Sequence, residues 1–185
     1  QTADFVRARP EVINISWVAA DQQIRASQFG QSLPLDTARG LDLSLYSPNT
    51  TYSGNGGTEP HSTLLPQREE TRSAFRLARE RSVPVYSQAY TNEMSARVIQ
   101  VHIPLIDRSG FIGTLVAEYS LDSLMRFLVP REVASRHAMS LVQINGQTLT
   151  STATPGIEAS AKPTFVHEVI VTPVGNGLLL RGEGF

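Results

Sequence analysis

Residues 101–125 read VHIPLIDRSGFIGTLVAEYSLDSLM. Two β-branched runs, Arg97–Ile106 and Phe111–Ser120, are joined by Asp107-Arg108-Ser109-Gly110, turn-forming residues that predict an antiparallel hairpin. Leu121–Leu128 follows without a linker and predicts a helix that Pro130 ends. A strand alternates its side chains between two faces, so Ile99, Val101, Ile103 and Leu105 fall on one side, expected to be core, and Gln100 and His102 on the other. By the same period Thr114 and Glu118 share a face of the returning strand, as Asn14 and Ser16 do earlier in the chain. This polar face has two readings at the level of sequence. It is the floor of a small-molecule pocket, where a few donors and acceptors stand among apolar walls, or it is the solvated outer side of an antiparallel sheet.

Upstream, residues 2–9 read as the end of a helix stopped by Pro10, with more helix expected before Gln1. Val12–Ala20 and Ile24–Phe29 predict a second hairpin turning at Asp21-Gln22-Gln23. Residues 30–66 are dense in Gly, Pro, Ser, Asn and Thr with no sustained period, and predict a long loop with one short helix near Leu41–Tyr46. Gln67–Arg81, QREETRSAFRLARER, predicts a helix with carboxylates in its first turn and arginines in its last, and Pro84 stops it. Val85–Thr91 then predicts one strand, on which Tyr86, Gln88 and Tyr90 point the same way. Along the helix, Arg68, Arg72, Arg76 and Arg79 form a stripe. Such a stripe is either solvated and paired with Glu69, Glu70 or Glu80, or it turns Arg72 or Arg76 inward to grip a carboxylate in two places.

Downstream lie two more predicted hairpins, Met139–Ile144 with Gln147–Ser151 and Val166–Thr172 with Leu178–Gly182, with a small-residue linker at Thr152–Pro163 between them. Laying Trp17–Ser27 over Leu141–Ser151 matches Asp21 with Asn145, Gln23 with Gln147 and Ser27 with Ser151, which points to an internal duplication. The first copy holds a long insert between its hairpins, enough to wrap a pocket; the second holds a short one.

The composition excludes several classes. Across 185 residues the net charge is −1 and the basic residues are dispersed, so no concentrated positive field exists for nucleic acid or an anionic membrane. There is no cysteine, hence no disulfide, thiolate nucleophile or Cys-ligated metal. No apolar run nears the roughly 18 residues of a membrane helix, so the chain is expected to be soluble. No catalytic motif occurs: Gly54–Gly57 lacks the flanking strand and helix of a phosphate loop, and His61, His102, His137 and His167 are isolated. Neither a catalytic residue, a metal site nor a cofactor is expected.

The order of helix, hairpin, long loop, helix, strand, hairpin and helix, carried by PEVINISWVAADQQIRAS, ARERSVPVYSQAYT and VHIPLIDRSGFIGTLVAEYSLDSLM, resembles the extracellular PAS-like (PDC or Cache) domains of bacterial sensor histidine kinases and chemoreceptors. The resemblance implies an α+β fold: a five-stranded antiparallel PAS-like sheet with flanking helices over residues 1–128, and a reduced, membrane-proximal PAS-like β unit over 129–185. It implies a periplasmic sensor, part of an inner-membrane receptor and most naturally a two-component histidine kinase, attached to the membrane only through flanking helices and dimerising in the full-length receptor. The predicted ligand contacts are Tyr86, Tyr90, Gln88, His102, Gln100, Glu118, Arg76 and Arg72, and a small organic acid is the ligand class that the arginines would hold. Amino-acid-binding members carry an Arg-Pro-Trp-Tyr step followed by Ala; here Val83-Pro84-Val85-Tyr86 and Ala89 keep the Pro, Tyr and Ala without the Arg and Trp. The alternative reading is a protein-interaction module that binds a periplasmic partner and no metabolite.

Overall fold

A computed structural model describes residues 2–30, 68–92, 95–153, 163–171 and 177–184. The predicted loop at 31–66, its short helix near 41–46, Gly54–Gly57 and His61 lie outside the described residues. In chain order the elements are α1 (Thr2–Arg7), β1 (Val12–Ala19), β2 (Ile24–Phe29), α2 (Glu69–Arg81), β3 (Val85–Tyr86), β4 (Tyr90–Thr91), β5 (Arg97–Asp107), β6 (Gly110–Ser120), α3 (Leu121–Leu128), α4 (Arg131–Ala134), β7 (His137–Gln143), β8 (Thr148–Ser151), β9 (Phe165–Ile170) and β10 (Leu178–Gly184).

They form two antiparallel sheets. The first has the order β2-β1-β6-β5-β3, with β4 also on β5; the second has the order β8-β7-β10-β9. The long hairpin β5–β6 is the spine of the first sheet and sets Gln100 opposite Glu118 and His102 opposite Val116. Strand β1 then pairs with β6, placing Asn14 beside Glu118 and Ser16 beside Val116. Gly113, at φ +148, is where β6 passes β1 so closely that a Cβ would strike the Val18 carbonyl, so only glycine fits.

Helix α2 covers one face of this sheet. Thr71, Ala74, Phe75 and Ala78 recur at helical spacing and are its buried stripe. Phe75 packs with Val18 and Val116, while Ala74 and Ala78 pack on Val85. The helix ends where Ser82 takes a left-handed conformation (φ 54) and its N–H donates to the Ala78 carbonyl at 3.0 Å. The opposite face meets the second sheet: Ile99 and Leu121 share a core with Leu141, Leu149 and Leu178. Two polar ties reinforce that seam. The Arg97 guanidinium donates to the Leu149 carbonyl, and the Thr150 hydroxyl donates to Asp122 at 2.7 Å.

Two expectations are corrected. The side of β5 taken as core is not the only buried one: Val98, Gln100 and His102 are buried beneath α2, whereas Ile103 on the supposed core side is 39% exposed, because β5 outruns the second sheet that covers Ile99. The predicted strand Val85–Thr91 is also broken, which is why the sheet has six strands and not five. Tyr86 pairs with Val101 and Tyr90 with Val98, so Ser87, Gln88 and Ala89 oppose only Ile99 and Gln100. The extra residue is held by Ser87, whose N–H donates to the Gln100 carbonyl at 2.8 Å and whose Oγ accepts from the Gln100 N–H at 2.9 Å. An odd residue reverses the parity of a strand. Tyr86 and Tyr90 therefore lie on opposite faces.

Candidate functional site

The polar residues of β4, β5 and β6 converge beneath α2 on one carboxylate. Glu118 accepts from the Tyr90 hydroxyl at 2.8 Å and from the Gln100 side-chain amide at 3.0 Å, both on Oε2, and from the Asn92 amide at 3.2 Å on Oε1. Gln100 has its donor committed to Glu118, so its oxygen faces His102 Nε2 at 3.2 Å and places the imidazole proton on that nitrogen. His102 is fully buried, edge-on to Phe75, and desolvation pushes its pKa down to about 3, so it is neutral near pH 7. Its Nδ1 has no hydrogen-bond partner among the described residues, and neither has the buried Thr114 hydroxyl. Burial first, and the adjacent Glu118 carboxylate second, push the Tyr90 phenol far above its ordinary range, against smaller opposing effects of Thr71 and Arg68. The Arg68 guanidinium stands 5.3 Å from the centre of the Tyr90 ring. A second polar triad extends the same face: Asn14 donates to Ser16 at 3.0 Å, Ser27 donates to Asn14 at 2.8 Å, and the Ser16 and Ser27 hydroxyls are 3.0 Å apart.

Beside this cluster a cleft of about 310 Å³ separates α2 from the Ser87 bulge, lined by Glu69, Glu70, Ser73, Ala74 and Leu77 on the helix and by Tyr86, Ser87 and Gln88. Ser87 links the two, because it forms cleft wall and also bonds the backbone of Gln100. A second cavity, of about 490 Å³, lies between the sheets; its walls are largely apolar, including Ile99, Leu121, Met125, Leu141 and Leu178, with Arg9, Glu11, Tyr86 and Tyr119 supplying the polar atoms. Burial raises the pKa of both tyrosines there.

Of the residues singled out from sequence, Tyr90, Gln100, His102 and Glu118 are brought together in one hydrogen-bonded cluster. Tyr86 borders both cavities, and Gln88 is exposed at the cleft rim. Arg72 and Arg76 are exposed on the outer side of α2, and Arg76 approaches Glu69 at 4.0 Å. Sequence reasoning missed Asn92, which follows the broken strand, and Ser87, which breaks it. A serine inside the Tyr86–Tyr90 run and an asparagine just after it were the available signal. Among the described residues no group of three His, Asp or Glu side chains is placed to hold a metal ion.

Comparison with known proteins gives likeness in structure and none in sequence. No family model matches the chain, and no curated protein matches it. The extracellular domain of vpHK1S-Z8, a protein assigned as a histidine kinase, superposes with a TM-score of 0.60 at 12% identity, over 98% of this chain and 71% of that one. The extracellular ligand binding receptor from Desulfohalobium retbaense superposes with a TM-score of 0.54 at 17% identity over 95% of this chain, which spans only 30% of that receptor chain. The extracellular domain of mmHK1S-Z2, likewise assigned as a histidine kinase, gives 0.50 at 11% identity, over 98% of this chain and 78% of the other. The chain thus has the α+β fold of the extracellular, PAS-like ligand-binding domains carried by receptors and histidine kinases.

Proposed function

We propose that the chain is the extracytoplasmic sensor domain of a longer membrane receptor, in the first instance a two-component histidine kinase in the inner membrane facing the periplasm. A small molecule bound beside the Glu118 cluster shifts the population between two arrangements of the domain, and segments outside residues 1–185 carry that difference across the membrane. No described helix is long and apolar enough to cross it.

The observation that supports this reading is the Glu118 cluster itself. Three side-chain donors are committed to one carboxylate on the buried face of the sheet, one residue away from a cleft of ligand size. Tyr86 and Tyr90 are partly buried and border cavities or cluster, where an interaction module would present them on an open surface. The described cleft walls carry Glu69 and Glu70 and no arginine. That favours a ligand with a cationic or hydrogen-bond-donating group over the organic acid that Arg72 and Arg76 would grip.

The test is a thermal-shift screen of the chain against amines, amino acids, organic acids and purines. A ligand at 100 times its dissociation constant stabilises by about 2.7 kcal/mol, a shift of several degrees. The expected result is a shift with one amine-bearing class that is lost in Glu69→Gln/Glu70→Gln and weakened in Glu118→Gln. No shift with any class, from protein shown to be folded, overturns the reading and leaves the protein-interaction module in its place.

A further inference from the structure

The cavity between the two sheets, about 490 Å³, falls within the roughly 300–1,000 Å³ of small-molecule pockets. Both sheets wall it, and α1 and α3 reach it through Phe5 and Leu124. Among its lining residues only Arg9 and Glu11 are charged. Glu11 is fixed at the seam by its backbone carbonyl, which accepts from the Ser120 N–H at 3.0 Å, and its side chain is 5% exposed. A carboxylate offers about four acceptor positions. Among the described residues one is used: Oε1 accepts from Arg9 at 3.4 Å, a long bond from a guanidinium that is half exposed and also stands 5.5 Å from the centre of the Phe5 ring. The buried carboxylate thus keeps unused acceptor capacity beside a cavity of ligand size.

Two phenols border the same cavity. Tyr119 pairs with Ile99 and Tyr86 with Val101, so both stand on the face of the first sheet that is turned to the second, on either side of β5. Neither hydroxyl has a hydrogen-bond partner among the described residues. Burial first, then Tyr86 and Glu11, raise the Tyr119 pKa against a smaller opposing effect of Arg9, which puts these groups within electrostatic reach of one another. Polar groups inside a protein are ordinarily paired, and several with spare capacity at one apolar cavity are the mark of a ligand site. The walls also select the occupant. Arg9 and Glu11 cancel, so no net charge is there to match an ion, and stripping water from an ammonium or a carboxylate against Ile99, Leu121 and Leu178 goes uncompensated. A hydroxyl fits, because it donates to a carboxylate and accepts from a phenol. We propose that the cavity between the sheets is a second binding site, for an uncharged small molecule with an apolar body and one hydroxyl head that donates to Glu11 and accepts from Tyr119. This is a different class from the amine inferred for the cleft beside Ser87, and it stands whatever that cleft binds.

The test uses N-phenylnaphthylamine, an uncharged dye that brightens in apolar surroundings. It is expected to titrate the chain as one saturable site. The uncharged para-butylphenol is expected to displace it, with the charged para-butylbenzoate and para-butylbenzylamine about tenfold weaker or worse. Tyr119→Phe, which removes one partner of the hydroxyl head, is expected to weaken para-butylphenol about fivefold. Leu124→Trp fills the cavity from α3 and Leu180→Trp fills it from the second sheet; either one, shown to be folded by circular dichroism, is expected to lose the dye site. The absence of a saturable site on folded wild type, or displacement by the benzoate or the amine as strong as by the phenol, overturns the proposal. So does unchanged para-butylphenol affinity in Tyr119→Phe. Wild-type dye binding by a folded filling variant also overturns it, and assigns the dye to exposed apolar surface such as Phe165 and Ile170 of β9.

Discussion

The phenol of Tyr90 reaches over β5 to donate to Oε2 of Glu118 at 2.8 Å, joining β4 to β6 through side chains although the two strands are not paired with each other and β5 runs between them. Tyr90→Phe removes that donor and leaves the carboxylate with Gln100 and Asn92. The expected loss is about 1.5–3 kcal/mol, the usual worth of a hydrogen bond to a charged group, read from denaturant unfolding. The raised pKa of Tyr90 adds a sign. Its stabilising contribution is complete below pH 10, the ordinary phenol value, and is lost as pH rises above it, so the wild type weakens in alkali more than Tyr90→Phe does.

His102 gives the opposite pH dependence. Its folded pKa is pushed from 6.5 down to about 3, so below pH 6.5 the unfolded chain takes up a proton that the folded chain refuses. Stability from this group is complete above pH 6.5 and is lost as pH falls toward 3. The expected difference between pH 7 and pH 5 is roughly 2 kcal/mol. His102→Gln is expected to remove that part of the acid slope, as measured by urea unfolding across the range.

Gly113 tests the close crossing of β1 and β6. Gly113→Ala forces a Cβ toward the Val18 carbonyl at a backbone angle that L-residues avoid, with an expected cost of about 1–3 kcal/mol. A calorimetric melting temperature unchanged from wild type would show that the crossing relaxes freely.

The shared core of Ile99, Leu121, Leu141, Leu149 and Leu178 predicts that the sheets unfold together. Leu178→Ala, wholly within the second sheet, is expected to cost about 2–5 kcal/mol. It should lower the transition reported by Trp17, the single tryptophan, which sits on β1 of the first sheet. Two separate transitions, with Trp17 unmoved by Leu178→Ala, would instead show independent units at 1–128 and 129–185.

What was legible in sequence is what strand and helix periodicity encode locally. The hairpin β5–β6, the β1–β2 pair, helix α3 and the second-sheet hairpins lie within two residues of their predicted bounds. The common face of Gln100, His102 and Glu118 followed from counting by twos. Tyr86 and Tyr90 failed because counting by twos assumes an unbroken ladder, and the Ser87 bulge depends on a bond to Gln100, thirteen positions away. Which side of β5 was core also escaped, since α2 and the second sheet each cover part of it and neither is local to that strand. Short α4, Arg131–Ala134, has no buried stripe and left no periodic signal to read.

The Glu118 cluster has a bearing on how the chain finds its pairing at all. Side chains of a strand alternate strictly, so sliding β5 by one residue against β6 would carry Gln100 and His102 to the far side and turn Ile99 and Val101 toward the carboxylate. An apolar hairpin slips at little cost, whereas this one would leave the partly buried Glu118 carboxylate without its Gln100 donor and turn the buried His102 imidazole out of its place beneath α2. The cluster thus acts as a key cut for a single alignment, and it would reject misfolded pairings whether or not any ligand is ever bound.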